Sequence, residues 1–517
     1  MKIILIHMKS SERARKIADA GKGTRNLGDK GTMAIARDTA EVLPLVEHPY
    51  SFYELMRQLV YKPPEDTTPH ATGGEHEKIA FNNDPKSRSY GKAITPAQSR
   101  KFFEMVARVG GRAHWEVVEA SGYGPIGVIG AMNGRELVCS IDCGVGLIEM
   151  RTPGSTSPDE KMAFLREYYA TLTAAADELR IGIGGYGIQP FTSPSAKRLG
   201  QSPDPKYRRI EELLRDTSSR AVRERVLDAH HSMALIASTQ VHVDTYYEER
   251  KEMSTVLTMI GPPLIALLAN SSVREGRYSG YQAVRGLIQD ELGLSGYFEG
   301  RTGISPRFKD DEQFYSKLFS YPFCITSRGN DYYALNKAIT MEQFVREGSA
   351  RATNLRTRKE RVLRPNNEDM KALLGSMLLD NRKSYLPTSE FRPLDAQPTV
   401  KLDLAVDMMI AGIAQNLPEA YEWASQFSRR HAVRGREAAY TFEIGSDKSR
   451  MAGRPLAALA GEIIGLADAG LRASGRDPGV IDPIREIYDS GKTSAQLSRN
   501  VLEDKGMGAF LKHIRWR

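Results

Sequence analysis

Apolar positions along this chain change period several times, and each change marks an element. From Ser157 to about Leu179 they recur at the spacing of one helical face. Ser157-Pro158-Asp159-Glu160 opens that stretch with an N-cap, a proline at the first helical position and acids in the first turn. Helices are also predicted over 248–270, 400–428 and 455–474, the last with Leu456, Leu459, Ile463 and Leu466 on one side. Strand-like runs cover 136–150, 181–188, 235–244 and 387–394. The opening MKIILIH reads as a first strand, because its apolar run is too short for a signal peptide. Long helices mixed with short, non-alternating strands predict an α+β fold rather than a doubly wound sheet. The charged stretch Arg351 to Asn367 predicts an exposed loop or insertion.

The most apolar internal stretch, Val256 to Ala269, contains Gly261-Pro262-Pro263. It falls short of the ~20 residues needed to span a bilayer, so no membrane association is expected. With 41% hydrophobic and 26% charged residues over 517, a sizeable core is expected and bulk disorder is not. A net charge of +8 from 72 basic and 64 acidic residues is mild, and suits an anionic small molecule such as a nucleotide. No Lys/Arg block with interleaved aromatics suggests nucleic acid as a partner. Three cysteines, Cys139, Cys143 and Cys324, argue against a disulfide scaffold and for a reducing, cytoplasmic setting. No second Cys/His pair completes a zinc site with Cys139 and Cys143, so buried thiols are expected.

The glycine motifs carry little. Gly23 to Lys30 resembles a phosphate-binding loop, but Asp29 stands where its lysine belongs. Gly122/Gly124/Gly127 and Gly182/Gly184/Gly187 match a dinucleotide fingerprint in spacing, yet neither is expected to open a helix. They read as glycines at strand ends and turns.

Four short segments concentrate carboxylates in otherwise apolar settings. In Gly73-Gly74-Glu75-His76-Glu77-Lys78 the two glutamates share one strand face, either as a solvated edge or with a cation between them. Asp142 and Glu149 interrupt a strongly apolar run and, if buried, need a partner or a metal. They are an odd number of residues apart, so a β-bulge at Gly144 or Gly146 is predicted to bring them to one face. Thr239-Gln240-Val241-His242-Val243-Asp244 holds a lone strand histidine, a satisfied core residue or a ligand. Glu390 and Arg392 share a strand face, which a structural ion pair explains equally well. Oxygen-rich groups suit Mg²⁺ or Mn²⁺, and arginines beside them suit phosphate. Such a layout is expected for metal-assisted phosphoryl transfer without a phosphate-binding loop.

Together these segments resemble the glutamate–cysteine ligase superfamily, in its plant and proteobacterial branch. Gly74-Glu75-His76-Glu77-Lys78 is similar to that family's GTEHEK segment. Ala269-Asn270-Ser271-Ser272 through Glu275-Gly276, followed by Gly280 to Arg285, resembles its ANSPF.EG block. Arg301-Thr302-Gly303 is similar to the family's RTG, and Glu390 to Asp395 to its EVR..D segment.

The resemblance covers about 48 to 503, leaving 1–45 as an extension of unknown role and 46–517 as one catalytic domain. It implies a curled antiparallel sheet, a funnel flanked by helices and related to glutamine synthetase. It implies metal ligands at Glu75, Glu77, Asp142, Glu149, His242 and Glu390. It places Arg285 on the glutamate carboxylate and Arg392 on the transferred phosphoryl group, with Arg301, Asn270 and Gln240 as further substrate-binding candidates. The implied reaction is ATP-driven joining of glutamate to an amine, cysteine first, by a monomer or homodimer using Mg²⁺ or Mn²⁺. A related ligase with another amine acceptor, or a catalytically silent relative, are the other readings. The chain departs from the family pattern at Arg151, where that branch has a small polar residue. The added charge puts the acceptor amine in question.

Overall fold

A single long strand, β1 (Thr72–Asn82), organises the fold, because its alternation of side chains serves two buried faces at once. The computed structural model describes residues 70–120, 122–194, 202–216, 219–329 and 331–517. The strand expected at the N-terminus and the loop-like Gly23 to Lys30 lie outside the described residues.

Six further strands precede residue 245: β2 (Glu116–Ala120), β3 (Gly124–Met132), β4 (Arg135–Ile141), β5 (Leu147–Ser155), β6 (Ile181–Gly184) and β7 (Ser238–Asp244). With Asn381–Lys383 and Thr388–Asp395 they form a nine-stranded sheet. Its order runs from Asn381–Lys383 through Thr388–Asp395, β7, β1, β5, β4 and β3 to β2, with β6 paired to the far end of β1. These pairings are antiparallel and the sheet is open. The fold is thus mixed helix and sheet, as the pattern predicts.

Helices Pro158–Glu178, Arg250–Leu267, Val400–Gln415 and Leu456–Ala473 bury an apolar core. Ser157 caps the first of them, its hydroxyl accepting from the Glu160 N–H at 3.2 Å. From Val256 to Leu267 every residue of the second is buried, so its all-round hydrophobicity marks a core helix.

Four expectations need correction. The 400–428 segment is two helices, Val400–Gln415 and Leu417–Ser425, since Pro418 cannot continue the preceding turn but suits the start of a new one. The 136–150 run is two strands joined by a tight turn, with Asp142 N–H donating to Leu147 O and Leu147 N–H to Gly144 O. No bulge forms at Gly144 or Gly146; a hairpin does that work instead. Ser140 pairs with Glu149 across it, so Asp142, two residues on, reaches Glu149's face. A register shift does occur between Phe391 and Leu394, around Pro393.

The charged 351–367 stretch is not a loop. Ala350–Asn354 and Glu360–Leu363 form the edge hairpin of a separate four-stranded sheet with Pro322–Arg328 and Asp331–Thr340. Ala352 and Leu363 point into that sheet's own apolar cluster, while Arg351 and Arg361 stay exposed. Among the described residues no helix is long and apolar enough to cross a membrane.

Candidate active site

The site grows from the register of β1. Glu75 lies opposite Arg151 on β5 and Gln240 on β7, and Glu77 lies opposite Glu149. On the next strand His242 faces Glu390. Alternation then turns all of these side chains to one face of the sheet. Two triads result, Glu75–His242–Glu390 and Glu77–Asp142–Glu149, each with its ligand atoms within 4.8 Å of one another. Every residue expected to bind metal falls into one of them.

Their electrostatics differ. In the first triad, His242 Nε2 lies 3.5 Å from Glu75 and 3.9 Å from Glu390. His242 Nδ1 is 3.0 Å from the Thr388 hydroxyl, a pairing that leaves Nε2 for the carboxylates. Glu390 is fully buried, and burial alone disfavours its charge, but Arg382 and Arg392 hold it down at about 2. Burial opposes ionisation of Glu75 as well, yet His242 and Arg151 draw it well below the usual carboxylate range. This triad is held with its carboxylates ionised.

The second triad is not. Burial and the neighbouring Asp142 push Glu77 up to about 7. Burial and the carboxylates of Glu75, Asp142 and Glu77 keep Glu149 at about 8, against the pull of Arg151. Glu77 accepts from Ser238 N–H and Oγ–H at 2.7 Å each and from Gln240 Nε2 at 3.2 Å. Tyr207 donates to Asp142 at 3.2 Å and Cys143 to its other oxygen at 3.3 Å. Three clustered carboxylates with unmet charge form an oxygen donor set that fits a hard divalent cation such as Mg²⁺ or Mn²⁺.

Arginines complete the site. Arg392 pairs with Glu390, and Arg285 Nη1 donates to the Arg392 carbonyl at 3.1 Å. Arg285 is buried and its Nε has no hydrogen-bond partner. Gln240 likewise keeps an unpartnered Oε1.

Two substrate-binding candidates are held elsewhere. Asn270 donates both side-chain N–H bonds to the Gly185 and Ala396 carbonyls at 2.8 Å. Arg301 is stacked between Tyr297 and Tyr321 and donates to Ser376 and to the Pro322 carbonyl. Asn270 is thus held by backbone carbonyls, whereas Arg301, like Arg285, keeps a buried Nε without a hydrogen-bond partner.

Behind the sheet lies a charged layer that sequence reasoning missed. His76 and Lys78 point away from the triads onto helix Val400–Gln415. His76 sits 3.5 Å from both Asp403 and Asp407, Lys78 bonds Asp403 at 2.9 Å, and Lys161 reaches Asp407 at 3.3 Å. All five are fully buried. Two carboxylates four apart on a strongly apolar helix were the available signal. Gly74 is required here, since a Cβ would come 2.2 Å from His76 Nε2. Arg382 was missed too, although it faces Glu390 directly across the terminal hairpin.

The glycine motifs serve packing. Gly182, Gly184 and Gly187 would each set a Cβ against Phe81, Ile79 or the Asp395 carboxyl, and none opens a helix. Cys139 and Cys324 are buried and Cys143 half-buried, all three free. Burial and the neighbouring Asp142 carboxylate push the Cys143 thiol well above its ordinary value.

The model of glutamate-cysteine ligase family 2 (GCS2) matches residues 73–512, and the chain belongs to that family. Among solved structures, a bifunctional glutathione synthetase from Pasteurella multocida aligns at 13% identity and TM-score 0.45, over 89% of this chain and 52% of that one. The chain thus spans about half of that protein's length. A glutamate–cysteine ligase from Francisella tularensis, in complex with AMP, aligns at 11% identity and TM-score 0.42, over 87% of this chain and 88% of that one. No curated protein matches by sequence.

Proposed function

We propose that the protein uses ATP to phosphorylate the γ-carboxylate of glutamate and then joins that carbon to an amine, with cysteine as the first acceptor. The observation that carries this reading is the gathering of two carboxylate triads and Arg392 on one sheet face, with Arg285 reaching the Arg392 carbonyl from helix Val284–Leu292. In this reading residues 46–517 act as one catalytic domain, with the sheet serving as a funnel of the glutamine synthetase type.

Glu75, His242 and Glu390 would hold one Mg²⁺ or Mn²⁺ ion, and Glu77, Asp142 and Glu149 another. Bound there, the metal supplies neutralisation of phosphoryl-oxygen charge. Arg392, anchored by Glu390, donates to the oxygens of the group in transfer. Arg285, with its free Nε, holds a carboxylate of glutamate, and Gln240 orients Glu77 beside it. The amine then attacks the acyl carbon, because phosphate is a far better leaving group than hydroxide. The C–N bond forms, the amine loses a proton, and phosphate leaves with one oxygen of the former carboxylate. Asn270 and Arg301 support the site from the scaffold.

The test is ADP release from MgATP and glutamate, with cysteine or other amines supplied in turn. Cysteine-dependent ADP with γ-glutamylcysteine found by mass supports the reading. Turnover with a different amine only would move the acceptor and keep the mechanism, and no ADP with any amine would sink it.

A further inference from the structure

Arg151 is the residue at which this chain leaves the pattern of the family it resembles, and its surroundings assign it a use. It lies opposite Glu75 in the β1–β5 register and two residues beyond Glu149, on the face that carries the triads. Its Nη2 donates to Glu149, and its Nε lies 3.8 Å from Glu75 Oε1. Those carboxylates belong to different triads. The guanidinium therefore spans the gap between them.

A purely structural counter-charge would be expected to use all its donors on the carboxylates it neutralises, but Arg151 spends only Nη2 in this way. Its Nε and Nη1 are buried and have no hydrogen-bond partner. Unmet buried donors are unfavourable, and a planar guanidinium matches phosphoryl oxygens better than any other side chain does.

We propose that Arg151 binds oxygens of the terminal phosphoryl group of ATP in the gap between the two triads. This rests on the ligase reading above, and adds a second arginine, beside Arg392, to the phosphoryl subsite. With both in place, the moving group meets a donor from β5 and one from the terminal hairpin, on opposite sides of β1 and β7.

Nucleotide binding tests this without any acceptor amine. Wild type, Arg151→Gln and Arg151→Lys are titrated calorimetrically in Mg²⁺ with ADP and with the non-hydrolysable β,γ-imido analogue of ATP. Arg151→Gln should lose about tenfold or more in affinity for the imido analogue and keep its affinity for ADP, with Arg151→Lys between the two. Retained ADP binding also certifies the fold of the variant. Unchanged affinity for both nucleotides overturns the proposal, as does equal weakening of both. So does a variant whose only defect is a raised KM for an acidic amine, which would place Arg151 in the acceptor pocket. If wild type binds neither nucleotide, the ligase reading itself fails.

Discussion

Arg382 holds Glu390 by both oxygens, Nε to Oε2 at 2.7 Å and Nη2 to Oε1 at 3.1 Å, across the hairpin that ends the main sheet. The pair is buried, and Arg382 also bonds the Met377 carbonyl at 2.8 Å, so the carboxylate has little freedom to turn. Its direction toward His242 is set by this clamp. Arg382→Lys offers a point charge in place of a fork and should lower kcat by about tenfold, and Arg382→Ala by more. Both should raise the Mg²⁺ concentration for half-maximal rate. Normal metal dependence in Arg382→Ala would show that Glu390 needs no such support.

The raised carboxylates make metal binding and stability depend on pH. Glu77 at about 7 and Glu149 at about 8 lie above the ordinary 4.5, so the folded apo-protein holds protons that the unfolded chain has lost. Their stabilising contribution is full below 4.5 and is lost as pH rises through 7 to 8. Without divalent metal the melting temperature should fall over that window, and added Mg²⁺ should restore it. Calorimetric Mg²⁺ titrations in buffers of different ionisation enthalpy should show release of about one proton near pH 7. Binding with no proton release would contradict the protonated apo-site.

The charged layer under β1 is predicted to be structural and to act at a distance. Burial works against a charged His76, yet Asp407 and Asp403 raise it to about 9. Its contribution is therefore full below 6.5 and is lost as pH rises through 9. His76→Ala should cost about 3 kcal/mol or more in denaturant unfolding and should remove that alkaline loss. Gly74→Ala should also destabilise, because its Cβ meets the His76 ring. Wild-type stability in either variant would leave the layer without a role.

Arg301→Ala should lower stability through lost stacking on Tyr297 and Tyr321, with little change in KM for glutamate. A raised KM at unchanged stability would return Arg301 to the substrate site.

The carboxylates of the two triads were legible as candidates because they interrupt apolar runs, a conflict that burial makes costly unless a cation answers it, while their grouping with His242 came only from the family resemblance. The pairing of Glu77 with Asp142 and Glu149 was legible only as an outcome: the hairpin at Asp142 to Gly146 looked like one bulged strand, since its turn lies inside an apolar stretch. Arg382 and Asp403 escaped notice because their partners lie across a hairpin or 325 residues away along the chain, where local periodicity has no reach. The exposed hairpin at 350–363 was hidden by charge, which edge strands carry on their solvent side.

The central claim is that glutamate is activated as an acyl phosphate, and isotope transfer tests it most directly. Glutamate carrying ¹⁸O in its γ-carboxylate is turned over with MgATP and the productive amine, and the phosphate released is weighed by mass spectrometry. One ¹⁸O per phosphate formed is the predicted result, because the carboxylate oxygen leaves with the phosphoryl group. Phosphate free of ¹⁸O, with amide product still formed, would contradict the account.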